Sequence, residues 1–319
     1  MSVAVEVHRT VGGELSEKGN GAMSTVVEVN RLTKAYGKVT AVDAISFRME
    51  ADKIYGLLGR NGAGKTTIMQ MLTAQLFPTS GEVKVFGETP YENSRVLSQV
   101  CFIKESQKYP NTFRVNDVLE LSEVFFPNWD REYALALIED FRLPLKRKMK
   151  ALSRGMLSSV GIIVGLASRA PLTIFDEPYL GLDAVARGLF YDRLIEDYAE
   201  HPRTVILSTH LIDEVSRLLE HVIVIDNGKL LIDEEADALR GRAFTVVGPS
   251  SKIAAFTADK IVLLRESLGA LVSATVQSPL DADERKRAEA LGLEIAPVSL
   301  QQLTVHLTNG ASERKAVEA

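Results

Sequence analysis

GRNGAGKTT, residues 59–67, follows the apolar run IYGLL (54–58) and precedes IMQMLTAQL (68–76), whose apolar spacing predicts a helix from about Lys65 to Gln75. The stretch matches G-x-x-x-x-G-K-[ST], and a strand–loop–helix setting is the context that pattern requires. Backbone N–H groups of such a loop point at phosphates, helped by the positive end of the helix that follows. The phosphate-binding set is therefore Gly59, Asn61, Gly62, Gly64, Lys65, Thr66 and Thr67. Lys65 is expected to reach the β- and γ-phosphates, and the Thr66 hydroxyl to ligate Mg²⁺. A glycine-rich turn without nucleotide is the competing reading, and the strand and helix on either side disfavour it.

Further along, LTIFDEP (172–178) ends a buried-strand run in two carboxylates. Beside a phosphate loop in the same sheet, Asp176 is expected to hold Mg²⁺, and Glu177 to polarise an attacking water as general base. TVILSTH (204–210) places His210 at the end of another buried strand, where an imidazole can contact a γ-phosphate and orient Glu177. Taken alone, that histidine and the turn LGLD (180–183) would be structural. ALSRGM (151–156) sets Ser153 and Gly155 around Arg154 before an apolar run, which by itself is a serine N-cap.

Alternating strand and helix runs predict an α/β fold with a mostly parallel sheet covered by helices on both faces. VVEVN (26–30), ISFRME (45–50) and VKVFG (83–87) predict an antiparallel β-subdomain at one side. Residues 115–150 predict two helices, broken at FFPNWD (125–130) and LPLK (143–146). Asn227-Gly228, between HVIVID and KLLID, predicts a hairpin because both residues tolerate positive φ. The expected domains are a nucleotide-binding domain over 25–240, with a helical subdomain at about 104–167, and a small α+β domain over 241–308. Residues 1–24, polar and glycine-rich around GGELSEKGNGA, are expected to form a disordered extension, of which 1–22 are dispensable or precede the true start at Met23, and 309–319 a frayed tail.

Composition narrows the class. The chain has 319 residues, 46% hydrophobic and 25% charged, which suits a globular protein large enough for two cores. A formal net charge of −5 argues against a dedicated nucleic-acid binder. One cysteine, Cys101, excludes an intrachain disulfide framework and is expected to be a small apolar residue in a strand. The nearest approach to a membrane span, GMLSSVGIIVGLAS (155–168), is too short and too rich in Gly and Ser, and Glu6, His8, Arg9 and Glu14 interrupt any leader-like apolar core.

In this order and spacing, GRNGAGKTT, LTIFDEP, LGLD and STH resemble the nucleotide-binding subunit of a bacterial ABC transporter, of the exporter type with separate membrane subunits, from about residue 26 to 235. The resemblance implies a P-loop NTPase of ABC type that binds and hydrolyses ATP with Mg²⁺. It implies a dimer with a second ATPase subunit, identical or different, in which each ATP lies between one phosphate loop and the other subunit's signature. It further implies integral membrane permease partners, a cytoplasmic position peripheral on the inner face of the cell membrane, and no nucleic acid. Tyr36 falls where the family stacks a ring on adenine; an ordinary strand-end tyrosine is the other reading. Asp183 matches the loop that communicates between the two ATP sites.

Two departures from the family pattern stand out. The signature, usually LSGGQ, is LSRGM (152–156), which keeps Ser153 and Gly155 for a γ-phosphate in trans. Arg154 either adds a cation near phosphate or points to solvent. At VCFIKESQKYP (100–110) a metal- and water-sensing glutamine is replaced by Glu105, a possible Mg²⁺ ligand, unless a one-residue gap makes Gln107 the sensor. FFPNWD either receives a coupling helix of the membrane partner or packs locally. The implied function is a motor for export, with antibiotic or peptide efflux as the analogy. A soluble non-transport ABC ATPase and a weakly hydrolysing, nucleotide-dependent regulator are the alternatives.

Overall fold

The computed structural model of the protein describes residues 24–105, 107–269 and 271–305. Apart from Ser24, the extension expected over 1–24 lies outside the described residues, as does the tail expected over 309–319. The chain opens with a long hairpin, β1 (Thr25–Tyr36) and β2 (Val39–Glu50), turned at Gly37 with φ 59°. Both strands outrun the apolar segments that predicted them. The ladder shifts register between Val29 and Leu32, where Arg31 takes φ 43°, so the period-2 pattern that marks a strand in the sequence breaks while pairing continues.

Next come β3 (Ile54–Leu58), α1 (Lys65–Leu72), β4 (Ser80–Val85), α2 (Ser94–Leu97) and β5 (Val100–Ile103). Helix α1 stops short of the expected Gln75. Thr73 turns its hydroxyl onto the Met69 carbonyl, and Ala74 takes φ 55°, which a helix cannot continue through. The helical layer follows as α3 (Val115–Phe125), α4 (Arg131–Asp140) and α5 (Arg154–Ala167). Then come β6 (Leu172–Asp176), α6 (Ala184–Glu200), β7 (Thr204–Thr209), α7 (Ile212–Val215), β8 (His221–Asp226), β9 (Lys229–Glu235) and α8 (Ala236–Arg240).

The main sheet has the order β5-β6-β7-β3-β8-β9, parallel except for β9. On one face lie α3 to α6, in an apolar core that includes Val160, Ile163, Leu166, Phe175 and Phe190. On the other, α1 is sandwiched between this sheet and the antiparallel sheet β2-β1-β4, with Leu57, Ile68, Met71 and Leu72 at its centre. Helix α5 is buried all round from Ser159 to Ala167, which explains its membrane-like composition at half the length of a span. Gly165 is required there, because a Cβ would lie 2.4 Å from the Phe175 ring. No helix among the described residues is long and apolar enough to cross a membrane.

A separate sheet closes the chain: β10 (Phe244–Pro249), α9 (Ser250–Thr257), β11 (Val262–Leu268), β12 (Leu271–Val276), α10 (Ala282–Ala290) and β13 (Glu294–Pro297), in the order β11-β12-β10-β13. It has its own core around Phe244, Ile253 and Phe256. The chain then returns to the first domain. Val298, Leu300 and Leu303 pack into its core, and Asp213 on α7 accepts from Ser299 Oγ (3.2 Å) and the Gln301 amide (3.3 Å).

At the edge of the main sheet His221 is held between Asp233 (Nε2 to Oδ1, 2.7 Å) and Glu235 (Nδ1 to Oε1, 3.3 Å). Burial pushes the imidazole down, but the two carboxylates outweigh it and hold it above its ordinary value. A raised folded-state pKa contributes stability that is fully present below the unfolded value of about 6.5 and is lost as pH climbs through the folded value. The urea midpoint should therefore fall between about pH 6 and pH 8, and more shallowly in His221→Gln. Equal slopes in the two proteins would contradict this account.

Candidate functional site

Parallel pairing brings the motif residues to one rim. Leu58 lies opposite Thr209 and Asp176 opposite Ser208, so β3, β6 and β7 end together and pass directly into Gly59, Glu177 and His210. Ligand sites in open α/β sheets form at these carboxyl ends. A cleft of about 480 Å³ here is lined by Asn61, Gly62, Gly64, Lys65, Thr66, Thr67, Glu105, Asp176, Glu177 and His210.

The loop backbone depends on glycine at specific places. Gly59, Gly62 and Gly64 have φ of 151°, 83° and 109°. A Cβ on Gly59 would strike the Ile225 carbonyl at 2.2 Å, and one on Gly64 the Ala41 carbonyl at 2.5 Å. Gly62 has open space where its Cβ would be, which leaves the cradle clear. Lys65 is buried; its Nζ donates to the carbonyls of Gly59 (2.7 Å) and Arg60 (3.3 Å) and sits 3.7 Å from Glu177 Oε1. Burial pushes this ammonium below its ordinary range, against the pull of Glu177 and Asp176.

Asp176 and Glu177 are both buried. Thr66 Oγ1 donates to Asp176 Oδ2 at 2.8 Å, while Asp176 Oδ1 has no partner. Burial pushes the Asp176 carboxyl up, and the Thr66 bond pulls it back. Glu177 takes φ 50°, in the left-handed region, with its amide tied to the Ser208 carbonyl at 3.1 Å. Such a conformation in a non-glycine residue costs about 1–3 kcal/mol and persists only where the surroundings enforce it. Its Oε2 accepts from His210 Nδ1 at 2.8 Å, and its Oε1 accepts no hydrogen bond among the described residues but lies 3.7 Å from the Lys65 ammonium. Two buried carboxylate oxygens thus lack a hydrogen bond beside the phosphate loop, one of them facing the Lys65 ammonium.

The other sequence-predicted residues are more peripheral. Ser153 is the exposed N-cap of α5, accepting from the Met156 amide at 3.2 Å, and Asp183 caps α6, accepting from Ala186 at 2.8 Å. Gly155 packs under the LGLD turn, where a Cβ would lie 2.6 Å from the Gly181 carbonyl. Tyr36 is half exposed at the end of β1, with Lys34 Nζ 5.2 Å from its ring centroid. Arg154 is largely exposed to solvent and pairs across the surface. Its stem crosses Gly181, and Nη2 meets Glu105 Oε1 at 3.2 Å. Both side chains are largely exposed, so the pair adds little stability. Glu105 lines the phosphate cleft; Gln107 lines the neighbouring groove beside Leu157 and Gly161. FFPNWD divides: Phe126 and Trp129 pack on the main core, while Phe125 is exposed.

One residue went unnoticed in the sequence. Tyr179, inside DEPYLGLD, is buried with its hydroxyl against Glu177, Thr209 and His210. Its only signal was a large polar aromatic two residues after the candidate base.

Comparison with known proteins gives the family. The family model described as "ABC transporter" matches residues 42–180. The chain belongs to the ATP-binding subunits of ABC transporters and is an ATPase of that family. It is 34% identical to the bacitracin transport ATP-binding protein BcrA of Bacillus licheniformis, over 69% of this chain and 73% of that one. It is 30% identical to the Nod factor export ATP-binding protein I of Rhizobium etli, over 91% and 95% respectively, a match long enough to include the C-terminal sheet. A solved ATP-binding subunit of an ABC transporter superposes with a TM-score of 0.62 at 26% identity, covering 68% of this chain and 92% of that one. A dimeric cassette bound to ADP and Pi, at 22% identity and TM-score 0.58, shares the fold over 66% of this chain and 98% of its own length.

Proposed function

We propose that this chain is the ATP-hydrolysing motor of an exporter, energising integral membrane permease subunits carried on separate chains at the inner face of the cell membrane. The observation that carries hydrolysis is the pair of buried oxygens that accept no hydrogen bond, Asp176 Oδ1 and Glu177 Oε1, beside the phosphate loop and Lys65. Thr66 Oγ1 and Asp176 are hard oxygen donors of the kind Mg²⁺ takes, and they would hold it, with Glu105 within the same cleft. Bound Mg²⁺ neutralises charge on the phosphoryl oxygens. Glu177 Oε1 accepts the proton of the attacking water. His210 donates its Nδ1–H to Glu177 and so orients the base, and Lys65 and the loop amides hold the β- and γ-phosphates.

Closure on two ATP molecules, with an identical or a different second subunit, would bring Ser153 and Gly155 to the partner's γ-phosphate. Their place at the exposed N-terminus of α5 supports this. Tyr36 stacks on adenine and Asp183 relays between sites. The division at 25–240 and 241–308 belongs to the same proposal, supported by the separate core around Phe244. Exposed Leu121, Val124 and Phe125 on α3 suit an apolar contact with a permease. The bacitracin-transport relative supports antibiotic or peptide efflux as the cargo class.

Purified protein should release phosphate from ATP, and Lys65→Ala should abolish it. Affinity capture from detergent-solubilised membranes should recover an integral membrane protein. Recovery with ribosomes and no membrane protein would overturn the exporter reading in favour of a soluble ABC ATPase.

A further inference from the structure

Tyr179 is 3% exposed, and its hydroxyl lies within reach of Glu177 Oε2, Thr209 Oγ1 (2.9 Å), the His210 amide (3.1 Å) and His210 Nδ1 (3.1 Å). A phenol has one proton to donate and two lone pairs to accept with. The His210 amide donates to it. Thr209 Oγ1 also donates to it, while accepting from the Leu211 amide at 2.9 Å. Both lone pairs are then taken, and the phenol proton goes to its nearest acceptor, Glu177 Oε2. His210 Nδ1, 2.8 Å from the same oxygen, must carry a proton as well, because an ionised carboxylate only accepts. Two donors thus converge on Oε2, whereas Oε1 accepts no hydrogen bond among the described residues and lies 3.7 Å from the Lys65 ammonium.

We propose that Tyr179 is a positioning residue for hydrolysis: with His210 it clamps Glu177 Oε2, so that Oε1 alone is presented to the attacking water. The inference rests on Glu177 being the general base. The clamp fixes the plane of a carboxylate whose backbone is already in the left-handed region, and it ties the end of β7 to the residue after β6. It also sets the Nδ1–H tautomer of His210. The bland alternative is a ring filling space beside the imidazole, 5.7 Å between centroids.

Tyr179→Phe keeps the ring and removes only the hydroxyl. In the full-length protein kcat for ATP should fall about tenfold or more, with KM within about twofold and the melting temperature within about 5 °C. In a Glu177→Gln background the same change should add nothing to the residual rate, since both act on one oxygen. With ¹⁵N-histidine labelling, feasible for five histidines, His210 should show the Nδ1–H tautomer. Wild-type turnover in Tyr179→Phe while Glu177→Gln is inactive would sink the clamp alone. Full turnover in Glu177→Gln would sink the general-base reading beneath it. An Nε2–H tautomer, a matching rise in KM, or a larger loss of melting temperature would also overturn the clamp, leaving packing as the role.

Discussion

Glu177→Gln is expected to lower ATP turnover by about 10²–10⁴-fold, the usual worth of a positioned general base, while ATP binding persists. The substitution is nearly isosteric, so the buried pocket and the left-handed backbone at Glu177 need not change. What changes is chemistry. Two donors meet at Oε2, so the amide carbonyl takes that side and the NH₂ is left where Oε1 stood. An NH₂ has no basic lone pair to offer water. The change also removes a negative charge 3.7 Å from Lys65 and beside Asp176, which lowers repulsion against the polyphosphate. ATP should therefore drive a longer-lived dimer, seen as an ATP-dependent mass shift in light scattering together with the loss of phosphate release. Undiminished release would remove Glu177 from the mechanism.

Asp197→Ala is expected to destabilise the fold by about 3–5 kcal/mol without altering the nucleotide site. Asp197 and Arg203 are both buried and meet at 2.6 Å, with Arg169 adding a second contact to Asp197 at 3.2 Å. Removing the carboxylate strands the Arg203 guanidinium, whose other acceptors are the His201 (3.2 Å) and Leu166 (3.4 Å) carbonyls. An uncompensated buried charge is far more costly than the loss of an exposed pair such as Arg154–Glu105. Arg203 precedes β7 and His210 follows its end, a separation of about 23 Å at ~3.3 Å per residue. Urea unfolding checks the magnitude. Asp197→Leu combined with Arg203→Met should recover most of the loss, since apolar replacement of a buried pair is often neutral. A cost under about 1 kcal/mol for the single variant would mean that water reaches Arg203.

Much of the nucleotide site was legible before any coordinates. The Gly, Lys and Thr spacing of residues 59–67 has few uses other than a phosphate loop, and LTIFD and TVILST read as buried strands because both faces of a parallel sheet are covered. Helix caps were equally local: Ser153 and Asp183 bond their own third neighbours. Other features were hidden because they depend on distant partners. The bulged hairpin lost its alternation at Arg31, and β13, only four residues long, has no pattern of its own and exists because it pairs with β10. Arg154 was left between phosphate and solvent, because its actual partner, Glu105, is 49 residues away.

By itself the sequence determined the candidate chemistry: a phosphate-loop pattern, two adjacent carboxylates and a histidine, each at the end of a strand or the start of a helix. Those assignments rest on local rules, where neighbours within four residues decide the backbone. Only the tertiary structure decided which oxygen of Glu177 two donors hold. Strand register set that, by laying Asp176 beside Ser208 and so bringing Thr209, His210 and the Tyr179 hydroxyl against one carboxylate. A hydroxyl's single proton can be assigned only when all its partners are in place, and here three residues supply them across two adjacent strand ends.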